Sequence, residues 1–133
     1  PLGMSNIKSK YIKEASRIIN EEYKNIIPNN RDALMKIPGI GRKVANIILM
    51  ELYNEKYFPV DTHVTRVSKR LGIANKDDNV NKIEEKLYKV IPKNRIKRTH
   101  HQFVLFGRYY CKSINPKCDT CKLKDICKKE SIK

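Results

Sequence analysis

A chain of 133 residues with 40% hydrophobic and 8% aromatic residues holds one small domain or a piece of a larger one. Its 29 Lys and Arg against 14 Asp and Glu give a formal net charge of +15. Such an excess calls for a polyanionic partner, most often a phosphate backbone, although solvated surface lysines of a lysine-rich proteome account for part of it. No long apolar run is present, which excludes a membrane-spanning helix and disfavours an anionic membrane surface as the partner. No secretory signal is recognised, so the expected compartment is the cytoplasm.

No stretch alternates with period two, so the reading is all-α. From Asn6 to about Tyr23, the residues Ile7, Tyr11, Ala15, Ile18 and Ile19 recur at helical spacing and share one face. Pro28 closes the connection that follows, and Asn30 caps a short helix through Ile37. Pro38-Gly39-Ile40-Gly41 then forces a tight turn, its two glycines permitting backbone angles denied to other residues. A second helix starts at Arg42, with Val44, Ala45, Ile48, Leu49 and Leu52 as its buried side. Pro59 stands just before Asp61, the N-cap of a helix through Leu71 that Gly72 stops. Asn79 caps the next, with Ile83, Leu87 and Val90 inward. The last long helix runs from about Arg95 to Tyr110, packed through Ile96, Phe103, Val104 and Phe106.

Cys111, Cys118, Cys121 and Cys127 follow directly, in the pattern C-x6-C-x2-C-x5-C, and the chain has no other cysteine. Four soft thiolates crowded together suit one metal centre, either a [4Fe–4S] cluster or a structural zinc. Two disulfides are the alternative, disfavoured in a chain read as intracellular.

The Pro-Gly-x-Gly turn has a physical use. It leaves backbone N–H groups unpaired at the start of the second helix, where they and the helix dipole suit a phosphate. Such a hairpin grips the DNA backbone without reading bases, although a plain tight turn would look the same. The hairpin backbone over Pro38, Gly39, Ile40 and Gly41, with Lys36, Arg42 and the cysteine-loop residues Lys112 and Lys117, are the candidate phosphate contacts. Lys43, two residues past the turn, is held beside the gripped phosphate and is expected to be partly buried. A neutral lysine amine there can attack a sugar carbon, or Lys43 is an ordinary phosphate-binding lysine.

Ile37-Pro38-Gly39-Ile40-Gly41-Arg42-Lys43-Val44-Ala45-Asn46, Val60-Asp61-Thr62-His63 with Arg66-Val67, and Gly107-Arg108-Tyr109 leading to Cys111 resemble the endonuclease III family. These are helix-hairpin-helix DNA glycosylase/AP lyases, and the resemblance runs in order along essentially the whole chain. It implies an all-α, helix-hairpin-helix DNA glycosylase fold with a C-terminal [4Fe–4S] cluster loop. It implies two parts: residues 1–59, a partial helical barrel with the hairpin at about 31–53, and residues 60–133, a cluster domain with its loop at 111–127. The implied activity removes oxidised pyrimidines and nicks abasic sites by β-elimination through a lysine Schiff base, with Lys43 as nucleophile. Asp61 stabilises the cationic sugar and relays protons, a role compatible with capping its helix. The resemblance implies that the four cysteines hold the cluster and that the partner is double-stranded DNA with a damaged base or abasic site, in a bacterial or archaeal nucleoid. His63 is read as structural, and His100 and His101 as packed or surface groups.

The chain departs from that family at its start, where several helices are expected to be missing. Leu2 and Met4 match a loop that fills the hole left by a flipped base and are candidate wedges. The missing helices are expected to leave an apolar face through which two copies could associate. Three rivals stand beside this reading: a monofunctional glycosylase, against which Lys43 argues; a non-catalytic DNA-binding fragment; and a zinc-stabilised interaction domain.

Overall fold

Helix starts fall where short polar side chains can cap them. In the structure, a computed structural model that describes residues 5–128, the Asn30 side chain accepts the Ala33 N–H at 2.8 Å, Asp61 that of Val64 at 2.8 Å and Asn79 that of Lys82 at 3.0 Å. The helices are α1 (Ser5–Glu21), α2 (Arg31–Met35), α3 (Arg42–Tyr53), α4 (Thr62–Arg70), α5 (Val80–Val90) and α6 (Ile96–Tyr109). Short 3-10 turns occupy Lys93–Arg95 and Lys124–Ile126, and there is no strand among the described residues. Asn54 ends α3 in the left-handed conformation, and Gly72, at φ +73°, breaks the chain away after α4. Leu2 and Met4 lie outside the described residues.

Met50, Phe58, Val60, Val64, Ala74, Ile83, Leu87, Ile91 and Ile96 form the main core, between the end of α3 and helices α4, α5 and α6. A smaller cluster of Leu34, Ala45 and Leu49 binds α2 to α3. Leu49 and Met50 are neighbours on α3, so this one helix carries the hairpin and seats it on the main core. Among the described residues, no helix is long and apolar enough to cross a membrane.

Three inward assignments are corrected. Val44 and Leu52 on α3 are 40% and 57% exposed, and the buried side is Ala45, Asn46, Leu49 and Met50. Val90 is 61% exposed because Ile91, two turns beyond Ile83 through Leu87, takes the core position. α1 shows its apolar stripe but buries nothing: Ile7, Tyr11 and Ile12 stay exposed among the described residues.

The hairpin turn depends on one glycine rather than two. Gly39 has φ +83°, and a Cβ there would sit 2.6 Å from the Tyr11 Cβ. Gly41 is extended, at φ −87° and ψ 176°, and a Cβ there would meet open space. Gly39→Val should therefore lower folding stability by about 1–3 kcal/mol from the backbone alone, with more from the clash with α1. Gly41→Ala should leave the melting transition nearly unmoved, and thermal unfolding followed by circular dichroism distinguishes the two.

Candidate functional site

The turn from α2 to α3 is closed by the Ile40 N–H donating to the Ile37 carbonyl at 3.0 Å, with Ile37 buried beneath it. Gly41 is the N-cap of α3 and supplies no capping side chain. The first intrahelical bond of this end is the Ala45 N–H to the Gly41 carbonyl, 2.9 Å. The N–H groups of the preceding turn thus point outward with the positive end of the helix dipole behind them. Such a helix end suits an anion, and the open space at Gly41 leaves the backbone approachable.

Lys43 stands in this first turn. It is exposed, which corrects the expectation of partial burial, and it makes no hydrogen bond or ion pair among the described residues. Lys36 is likewise exposed, at the end of α2. Arg42 is differently engaged: its Nε donates to the Glu84 carboxylate at 2.7 Å.

Asp61 is half-buried at the start of α4. One carboxylate oxygen caps the helix through Val64, and the other is uncommitted among the described residues. The fixed cap orients the free oxygen. Behind this region His100 on α6 is buried, with both ring nitrogens unpartnered, between Phe58 and His101 at centroid distances of 5.6 and 5.4 Å. Burial holds its imidazole down at about 4; His101 and Lys43 add to this, while Asp61 and Glu51 oppose it. His100 is therefore neutral near pH 7 and feels both Lys43 and Asp61. His101, one residue on, is exposed and reaches Glu51 at 3.0 Å.

A second set of residues joins α4 to the cysteine loop. Arg66 donates to the carbonyls of Gly107 (2.7 Å) and Cys111 (3.0 Å) and meets His63 Nδ1 at 3.1 Å. A Cβ on Gly107 would lie 2.9 Å from the His63 Cβ, so the missing side chain lets α4 and α6 close on one another. Arg70, one turn beyond Arg66, donates to Cys111 Sγ at 3.3 Å and to the Lys112 carbonyl at 2.7 Å. Its own carbonyl accepts from Cys127 Sγ at 3.4 Å and from the Lys128 N–H at 2.6 Å.

All four cysteines are half-buried thiols without disulfides, and all four line one cavity of about 460 Å³, with Arg70, Phe106, Tyr110 and Leu123 among its walls. Among the described residues, no three His, Cys, Asp or Glu side chains converge on a single ion. A tetrahedral zinc needs four sulfurs at about 2.3 Å from one point. Four thiols around one cavity are a donor set that suits either a zinc or a polynuclear iron–sulfur group. Lys112 and Lys117 are exposed on this loop, and the Lys117 ammonium lies 5.8 Å from the Tyr110 ring centroid.

The structure places Lys43 in the first turn of α3, Asp61 at the N-cap of α4 and the four thiols around one cavity. Sequence reasoning missed Glu84 and Arg70, while His100, read as packed or surface, is packed. Arg66 and Arg70, four apart on α4, could have been found as a basic stripe facing the loop, whereas Glu84 carries no local signal.

Residues 1–93 match the HhH-GPD superfamily base excision DNA repair protein family. The chain is 42% identical over 127 residues to endonuclease III of Bacillus subtilis, covering 96% of this chain and 58% of that one. Against endonuclease III of Escherichia coli K12 it is 38% identical over 132 residues, covering 98% and 62%. It superposes on a non-covalent endonuclease III–DNA complex with a TM-score of 0.90 at 40% identity, over 97% of this chain and 60% of the other. The trapped endonuclease III–DNA covalent intermediate gives 0.89 at 40% identity, over 97% and 61%. A thermostable thymine-DNA glycosylase, 24% identical with a TM-score of 0.84, shares the fold. The chain spans about three fifths of the length of these relatives. With the matched residues covering the hairpin, α4 and α5, the chain belongs to the HhH-GPD superfamily of base excision DNA repair proteins.

Proposed function

We propose that this protein is a bifunctional DNA glycosylase/AP lyase that removes oxidised pyrimidines and cuts abasic sites by β-elimination. The observation that carries this is Lys43, exposed and unpaired among the described residues in the first turn of α3, beside backbone N–H groups free to hold a phosphate. The hairpin backbone over Pro38 to Gly41 holds the DNA strand, and Lys36, Lys112 and Lys117 add cationic contacts along it, while Arg42 is engaged by Glu84. The Lys43 amine attacks the sugar C1′; its bond to nitrogen forms as the glycosidic bond breaks and the base leaves with a proton. Asp61 stabilises the cationic sugar and relays protons between the amine and the opening ring. The resulting Schiff base loses a C2′ proton and the 3′ phosphate, and water then hydrolyses the imine to free Lys43.

The four thiols would hold a [4Fe–4S] cluster, which when bound ties the loop of residues 111–127 to α4 and α6. On this reading residues 1–59 carry the hairpin and residues 60–133 the cluster, although Met50 and Phe58 of the first part pack into the core of the second. The partner is double-stranded DNA with a damaged base or abasic site, in the cytoplasm of a bacterium or archaeon. A second reading, a non-catalytic DNA-binding fragment, is favoured by the apolar face left open on α1. Two such copies meeting across that face would bury Ile7, Tyr11 and Ile12.

Binding to a duplex with one abasic site, followed by strand analysis, tests the proposal. If roughly five phosphates are neutralised, log K against log salt should slope by about −4 to −5. The bound strand should be nicked 3′ to the site. Salt-sensitive binding without a nick would favour the binding fragment, and no binding would overturn both readings.

A further inference from the structure

Glu84 lies on α5, 42 and 53 residues from its two cationic partners, and its side chain is 1% exposed. One carboxylate oxygen accepts from Arg31 at 2.9 Å and the other from Arg42 at 2.7 Å. The Tyr88 hydroxyl donates to the oxygen that Arg31 holds. Arg31 is the first residue of α2 and Arg42 the first of α3. A single buried carboxylate thus ties the N-terminal ends of both hairpin helices to a third helix.

Two cations at helix N-termini oppose the helix dipoles, so neither arginine is placed there for helix stability. Glu84 offsets both. The Arg31 guanidinium also lies over Tyr57 at 4.8 Å, and Tyr57 meets Tyr88 edge-on at 6.3 Å, so aromatic rings pack beside the buried carboxylate. Buried ion pairs add little net stability once desolvation is counted, but they allow few alternative geometries. Here the geometry they set is the tilt of α3 and the turn before it.

We infer that Glu84 is a positioning residue for the reaction: it fixes the hairpin so that the α3 N–H groups and Lys43 meet the same phosphate–sugar unit. This rests on the proposed function above. Charge alone and positioning predict opposite signs for Glu84→Gln. Removing a negative charge from a basic protein should tighten DNA binding. Releasing Arg31 and Arg42 should instead misplace the hairpin and weaken it.

The test compares wild type with Glu84→Gln and Arg31→Lys on a duplex with one abasic site, measuring affinity, the rate of borohydride trapping and thermal unfolding. Loss of a charged hydrogen bond should make Glu84→Gln bind about tenfold more weakly and trap more slowly still. Glu84→Asp, which restores the charge, should recover part of both. If Glu84→Gln does not fold, Arg31→Lys decides, because it conserves net charge while losing the planar guanidinium that lies over Tyr57. It should slow trapping about threefold or more, a loss on the scale of one weakened hydrogen bond. Folded Glu84→Gln that binds as tightly as wild type or more so, with trapping unchanged, overturns the inference; so does unchanged trapping in Arg31→Lys. Wild type that binds no duplex overturns the functional reading, and this inference with it.

Discussion

Lys43→Gln should form no borohydride-trapped adduct and make no nick at an abasic site, yet bind intact duplex within about threefold of wild type. The two halves have separate causes. Lys43 is exposed and has no partner among the described residues, so removing its amine disturbs no packing, cap or ion pair. On the proposed reading the phosphate grip belongs to the α3 backbone N–H groups and neighbouring cations, which the substitution leaves in place. Chemistry, by contrast, needs a nucleophilic nitrogen, and glutamine has none. A gel-shift titration beside a single-turnover nicking assay reads both effects. A nick that persists in Lys43→Gln would move the nucleophile elsewhere.

Cys118→Ser should lose the iron and most of the folded C-terminal half with it. Cys118 stands in the middle of the loop that lines the cavity with Cys111, Cys121 and Cys127. Between Cys111 and Cys127 this loop has one 3-10 turn and no α-helix, and both Ile114 and Ile126 are exposed. A segment with so little core depends on a staple. On the proposed reading four thiolates on one cluster would provide it, alongside the contacts of Arg66 and Arg70. Anaerobically purified wild type should contain about four irons per chain, the content of a [4Fe–4S] cluster. Cys118→Ser should retain little iron and show a broadened melting transition. One zinc and no iron in wild type would defeat this prediction.

The fold was legible wherever local chemistry decides it. Asn30, Asp61 and Asn79 cap their helices as their side chains predict, and Gly72 stops α4 because it alone takes φ +73° there cheaply. The buried faces were less legible. The core-facing sides of α3 and α5 include Asn46 and Glu84, polar residues that a hydrophobic pattern assigns to solvent. Glu84 is buried because two arginines more than 40 residues away come to it, and no local period encodes that meeting. The same limit applies to charge. Arg31, Arg42, Arg66 and Arg70 all have internal partners, so part of the basic excess holds the fold together rather than facing DNA. The positions of Lys43 after the hairpin turn and of Asp61 as a helix cap were legible locally, whereas the chemical roles proposed for them came from the family resemblance. Gly41 was misjudged because only backbone angles reveal which glycine of the turn is needed.

The most direct test of the central claim is borohydride reduction of the wild-type protein mixed with duplex DNA carrying one abasic site, followed by peptide mapping of the product. One adduct per chain, on the peptide containing Lys43, is the predicted result. An adduct on any other lysine, or none from protein that demonstrably binds the duplex, would contradict it.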